Sequence, residues 1–163
     1  MTILGSDRAG LVRALADTVA LHGGNWLECR MARLAGQFAG IVRIECPAHS
    51  VDALLHALVD PGIDGLTIQA VREEVVESPP RKLLGFEVLG HDRPGIVREL
   101  STAIAQAGGN VEELTTALES APMSGHEMFR AKGQISIPED ADPSQLVQAI
   151  EALGGDLSVD IVQ

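Results

Sequence analysis

The chain has 163 residues, 45% of them hydrophobic, and a formal net charge of −11. That apolar share marks a globular protein, and the acidic balance repels nucleic-acid phosphates. Three Phe and one Trp are too few rings for a base-stacking platform, so no direct DNA or RNA binding is expected.

The N-terminus lacks a basic patch followed by an apolar stretch, so no signal peptide is read there. No apolar run approaches the length that spans a bilayer. Two cysteines do not make a disulfide framework. A cytoplasmic protein without membrane contact is the expectation.

In chain order, Met1–Leu4 reads as a short apolar strand and Asp7-Arg8-Ala9-Gly10 as a turn. Leu11, Val12, Leu15, Ala16, Val19 and Ala20 then recur at helical spacing, and His22-Gly23-Gly24 ends that helix. Asn25–Leu34 reads as a second strand, turned at Gly36. Phe38–Cys46 is a third, with Phe38, Gly40, Val42, Ile44 and Cys46 on one face. Pro47 stops it. Ser50 is expected to cap a helix over Ser50–Val59, with Val51, Leu54, Leu55 and Leu58 as its stripe, and Asp60-Pro61-Gly62 breaks it. Leu66–Val71 is a fourth strand. The charges and Pro pair of Glu73–Arg81 mark a linker.

After that linker the chain repeats itself. Gly5–Leu15 and Gly90–Leu100 share seven of eleven positions, where unrelated sequences would share about one. The register holds at Gly23-Gly24-Asn25, which becomes Gly108-Gly109-Asn110. Two domains follow, residues 1–73 and 82–163, joined by 74–81. In the second, Lys82–Leu89 is a strand longer than its counterpart Met1–Leu4, which leaves a trimmed first strand as an open reading. Pro94 suits the first turn of a helix over Pro94–Ala107, with Ile96, Val97, Leu100, Ile104 and Ala105 facing in. Val111–Leu118 is a strand, and Ala121–His126 is an insertion at the hairpin. Glu127–Ile137 alternates, with Phe129, Ala131, Gly133, Ile135 and Ile137 inward and Arg130, Lys132, Gln134 and Ser136 outward. Asp142-Pro143-Ser144-Gln145 looks like a capping box ahead of Leu146, Val147, Ile150 and Leu153. Leu157–Val162 is the last strand.

Each half therefore runs strand, helix, strand, strand, helix, strand. Strands joined through helices run the same way, and the middle hairpin is antiparallel. That is an α+β chain of two tandem ferredoxin-like βαββαβ domains, each an antiparallel sheet with helices on one face.

The repeat also sorts the candidate residues. Cys29 and Cys46 stand where the other half has Leu114 and Ile137, so both read as small buried hydrophobes. The five histidines show no paired spacing, and neither a metal nor a cofactor is expected. Met123 and Met128 read as hairpin packing. Asp7 and Asp92, Arg8 and Arg93, Gly10 and Gly95, and Asn25 and Asn110 match across the halves while apolar positions vary. One reading is structural: Asp caps the helix, Gly shapes the turn, and Asn tolerates a left-handed backbone. The other is functional. Free N–H groups at Gly10-Leu11 or Gly95-Ile96 could take the carboxylate of a small amino acid. Asp7 or Asp92, or the amide oxygen of Asn25 or Asn110, could then hold its ammonium. Asp and Asn lie at opposite ends of the helix, so they need not share a site.

The pattern Gly-x-Asp-Arg-Pro-Gly-Ile-Val, a helix, then Gly-Gly-Asn-Val resembles the ACT domain family, nearly the whole chain being covered twice. These are regulatory modules that most often bind amino acids, commonly at the interface of two paired domains. Two such domains resemble the glycine cleavage system transcriptional repressor group. The resemblance implies a non-enzymatic sensor of glycine or another small amino acid, acting through a partner transcription factor rather than on DNA. It places ligand contacts at Asp7, Arg8, Gly10, Leu11 and Val12, and at Asp92, Arg93, Pro94, Gly95, Ile96 and Val97. Asn25 and Asn110 complete the set. Ala9 in place of Pro, Trp26 beside Asn25 and the short first strand favour the Asp92 loop over the Asp7 loop. A regulatory subunit of a separate metabolic enzyme and a ligand-free assembly module are the rival readings. Ile41, placed outward by alternation, points to a covered outer face and a homodimer.

Overall fold

The computed structural model describes residues 1–59, 63–72, 79–120 and 127–162. It divides into two compact units, Met1–Val75 and Val76–Gln163. Most of the linker, the Asp60-Pro61-Gly62 break and the Ala121–His126 insertion with Met123 lie outside the described residues.

The first unit runs β1 (Thr2–Ser6), α1 (Leu11–Leu21), β2 (Asn25–Leu34), β3 (Gln37–Glu45), a 3₁₀ turn (Ala48–Ser50), α2 (Val51–Val59) and β4 (Leu66–Gln69). The second runs β5 (Arg81–His91), α3 (Ile96–Gln106), β6 (Asn110–Ser120), β7 (Glu127–Pro138), α4 (Pro143–Glu151) and β8 (Ser158–Val162). The sheets are ordered β2-β3-β1-β4 and β6-β7-β5-β8, every neighbouring pair antiparallel. These are two ferredoxin-like domains.

Each core lies between the helices and one face of its sheet. In the first, Ile3, Val42 and Ile68 from the strands meet Leu15, Val19, Leu54 and Leu58 from the helices. In the second, Leu84, Phe86, Val88, Phe129, Ala131, Ile135 and Ile137 meet Ile96, Leu100, Ala103, Ile104, Leu146 and Ile150. The helix stripes are narrower than the sequence suggests. Val12, Ala16 and Ala20 are exposed on α1, as are Val97 and Ala105 on α3, where Ala103 is buried instead. Each helix meets only one sheet, so an i, i+4, i+8 row such as Leu11, Leu15 and Val19 covers the contact.

Three local expectations change. Ser50 closes the 3₁₀ turn, its N–H bonded to the Pro47 carbonyl at 2.8 Å, and the chain enters α2 through that turn. Cys29 is exposed because β2 is the outer strand of its sheet. Ser136 faces away from the helices yet is buried, because Arg81 lies over it, Nε donating to Oγ at 2.9 Å. At α4 the expected cap forms: Asp142 accepts from the Ser144 N–H at 2.9 Å, with Pro143 at the first helical position. That bond holds the Asp142 carboxyl below its ordinary pKa.

Candidate functional site

The two repeated turns carry β1 into α1 and β5 into α3. Gly10 (φ 92°) and Gly95 (φ 89°) take the left-handed conformation just before each helix, which is why glycine stands there. Neither helix has a side-chain cap. Asp7 and Asp92 therefore do not play the capping role that a structural reading assigns them. Pro94 sits in the exposed turn ahead of Gly95, outside the first helical turn. The Ile96 N–H is engaged by the Arg93 carbonyl at 3.3 Å. The next N–H groups, those of Val97 and Arg98, have no partner within the helix.

The matched arginines tie each turn to the segment that enters the last strand of its sheet. Arg8 donates to the Asp64 carbonyl and lies 3.4 Å from its carboxylate. Arg93 donates to the Leu153 carbonyl at 3.2 Å and pairs with Glu99 at 2.6 Å. Holding that segment is a structural reason for arginine at both positions.

The acids differ. In the second unit a cleft of about 400 Å³ opens where Asp92, Arg93, Gly95, Ile96 and Val97 face Thr116 and Leu118 of β6, with Phe129 behind. The Asp92 carboxylate is exposed and has no hydrogen-bond or ion-pair partner among the described residues. In the first unit Arg33 holds the place of Leu118: it stands opposite Phe38 as Leu118 stands opposite Phe129. Arg33 meets Asp7 at 2.6 Å. Leu11 is buried beneath that turn and Val12 is exposed beside it. Sequence reasoning missed Thr116, Leu118 and Phe129. Their place follows from the register, which pairs Thr116 with Ala131 and Leu118 with Phe129, both inward on β7, after a bulge that the sequence does not display.

Asn25 and Asn110 open β2 and β6, at the other ends of α1 and α3. Eleven helical residues span about 16 Å, so Asn110 and Asp92 do not meet within one unit. Asn110 instead donates to Glu112 at 2.9 Å, and the Ser136 hydroxyl donates to the same carboxylate at 2.5 Å. Arg81 backs the cluster through Ser136 and the Gly108 carbonyl. The bonds from Ser136 and Asn110, with Arg81 nearby, hold the Glu112 carboxyl below its ordinary pKa. At the cleft's end of the sheet Asp156 accepts from the His91 N–H and contacts its ring, each at 3.2 Å, which lowers the Asp156 pKa. Among the described residues no His, Cys, Asp and Glu gather as a metal site. Among them also, no helix is long and apolar enough to cross a membrane.

Residues 1–63 match the ACT domain model. A UPF0237 protein of Streptococcus mutans is 39% identical over 75 residues, which span 45% of this chain and 77% of that protein. The chain is an ACT-domain protein of the UPF0237 family. The likeness extends over the whole chain in an unknown protein from Galdieria sulphuraria. Its crystal structure has a TM-score of 0.80 and 28% identity, over 98% of this chain and 94% of that one. A candidate glycine cleavage system transcriptional repressor shares the fold at a TM-score of 0.64 and 17% identity, over 99% and 95%.

Proposed function

We propose that this ACT-domain protein is a non-enzymatic regulator that senses a small amino acid at the Asp92 turn. The observation that carries the reading is the uncapped start of α3 opening into a cleft beside the Asp92 carboxylate, which has no partner among the described residues. A zwitterion has complementary ends: its carboxylate meets the Val97 and Arg98 N–H groups and its ammonium meets Asp92. Arg93 shapes the turn and has its charge matched by Glu99. Glycine is the first ligand to test, because a solved structure of the same fold is a candidate glycine cleavage system transcriptional repressor. The same likeness supports a transcription factor as the target, reached by protein contact, since the net charge of −11 disfavours DNA. The exposed Leu4 and Ile41 give the first sheet an apolar outer face on which a second copy of the chain can pack.

The Asp7 turn supports a structural reading instead, because Arg33 and Asp64 already occupy its charged groups. Isothermal titration calorimetry with Gly, Ala, Ser, Thr and the branched amino acids tests the assignment. One ligand per chain is expected, with affinity falling at least about tenfold in Asp92→Ala. Absence of heat with every ligand, from folded protein, refutes the sensor reading. Binding unaffected by Asp92→Ala refutes the site.

A further inference from the structure

The cleft beside the Asp92 turn is larger and more apolar than a glycine zwitterion needs. Its volume is about 400 Å³, and glycine, with no side chain, leaves most of that to water. The charged residues of its lining are Asp92 and Arg93, and Arg93 is matched by Glu99 at 2.6 Å. Thr116 supplies the one uncharged polar side chain of that lining. The rest is hydrocarbon and backbone. Phe129 and Ile96 are buried, whereas Val97 and Leu118 are 40% and 56% exposed.

The first unit has the same turn without that apolar wall. By register Arg33 takes the place of Leu118 and Met31 that of Thr116, while Phe38 repeats Phe129. The strand opposite the turn is thus where the two units differ, and in the second it presents aliphatic carbon. Leu118 pairs with the inward Phe129, so it shares the face of the sheet that carries α3. Exposed leucine there leaves apolar surface for a ligand's side chain to cover. Charged side chains fit poorly. A second carboxylate on the ligand meets Asp92 with like charge, and a second cation finds no acid in the lining once the ammonium has taken Asp92.

We infer that the cleft selects an amino acid with a branched aliphatic side chain, valine, leucine or isoleucine, over glycine. This selectivity rests on the amino-acid reading of the Asp92 turn and adds the class of ligand to it. With the ligand's carboxylate at the Val97 and Arg98 N–H groups and its ammonium at Asp92, the side chain lies on the β6 side, against Leu118, Val97 and Phe129. Each methylene fully buried there multiplies affinity about fourfold. Valine adds three carbons to glycine, and the partial exposure of Val97 and Leu118 trims that gain.

Calorimetric titration of the full chain with glycine, valine and threonine tests the class. Valine should bind at least about tenfold more tightly than glycine. Threonine has the shape of valine with a hydroxyl in place of one methyl, and should bind at least about threefold more weakly than valine. Leu118→Ala should reduce the valine-to-glycine affinity ratio at least about threefold. Glycine binding as tightly as valine overturns the aliphatic class. Threonine binding as tightly as valine overturns it too, and makes Thr116 the reader of a ligand hydroxyl. A ratio unchanged in Leu118→Ala overturns the role of the β6 wall and the inference with it. Heat from none of the three, with the protein folded, refutes the sensor reading itself. Glycine binding alone, lost in Asp92→Ala, keeps that reading and overturns only the aliphatic class.

Discussion

In the first unit the turn acid Asp7 is met by Arg33 at 2.6 Å, whereas in the second Asp92 looks across a cleft toward Leu118. The turns themselves are nearly the same. Both place glycine at a left-handed φ near 90°, both leave the helix uncapped, and both anchor an arginine on the segment before the last strand. Whether the turn is open is decided outside it, by one residue on the neighbouring edge strand. Repetition of a motif within one chain is thus evidence of shared backbone geometry, and its chemistry depends on what the opposing strand supplies.

The largest expected effect lies in how the two sheets fill one inward position. Gly133 stands opposite Phe86, as Val42 stands beside Met1. A Cβ at Gly133 would lie 1.8 Å from the Glu113 carbonyl oxygen, because β6 passes close over it. Val42 is accommodated in the first unit, where β2 offers Cys29 at that register. Gly133→Val should therefore destabilise the second unit by about 3 kcal/mol or more, lowering its melting temperature by more than about 10 °C. A smaller shift in a calorimetric scan would mean that β6 can slide away from β7, and that the match between the sheets is looser than their registers imply.

The next effect converts one turn into the other. Leu118→Arg should bring a guanidinium to Asp92 as Arg33 does to Asp7, and cut amino-acid affinity at least about tenfold. Arg33→Leu should free Asp7 at a modest cost of about 1 kcal/mol, since the Arg33 side of the pair is solvated while Asp7 is partly covered. If the opposing residue is the sole gate, titration of Arg33→Leu gives two ligands per chain rather than one. A stoichiometry that stays at one would assign part of the difference to Ala9 or Trp26.

The order of elements was legible in the sequence because alternation in Phe38–Cys46 and Glu127–Ile137, and glycine pairs after α1 and α3, are local signals. The turn was legible because it repeats. The opposing wall was not. Both edge strands carry a bulge, between Trp26 and Glu28 and between Val111 and Glu113. A bulge shifts every later residue relative to the partner strand, so which side chain reaches the turn depends on a register that a string of letters does not display. Helix faces were overcounted for a related reason: Val12 and Val97 continue an apolar stripe, but a helix on a single sheet buries a narrower one. Asn110 was grouped with Asp92 by the repeat and by the family resemblance, and eleven residues of helix separate them, as their places at opposite ends of the helix implied.

The same bulges yield the smallest expected effect. Glu112 occupies the bulge of β6, held by Ser136 and Asn110 and flanked by Arg81, whereas the first unit has Leu27 there, exposed. Arg81 belongs to a part of β5 that has no counterpart among the described residues of the first sheet, and this polar cluster goes with it. Because folding lowers the Glu112 pKa, its contribution is fully present above the ordinary glutamate value of about 4.3. It is lost as pH falls through the lower folded value. Glu112→Gln should therefore melt about 2 °C below the parent at pH 7, a small shift because the carboxylate is exposed. The two curves should converge as pH falls below about 4. A gap that persists unchanged at low pH would show that the side chain acts through packing at the bulge and that the charge contributes nothing. Leu27→Glu in the first unit should gain no such pH dependence, because the hydroxyl of Ser136 and the guanidinium of Arg81 that hold Glu112 have no equivalents beside Leu27 among the described residues.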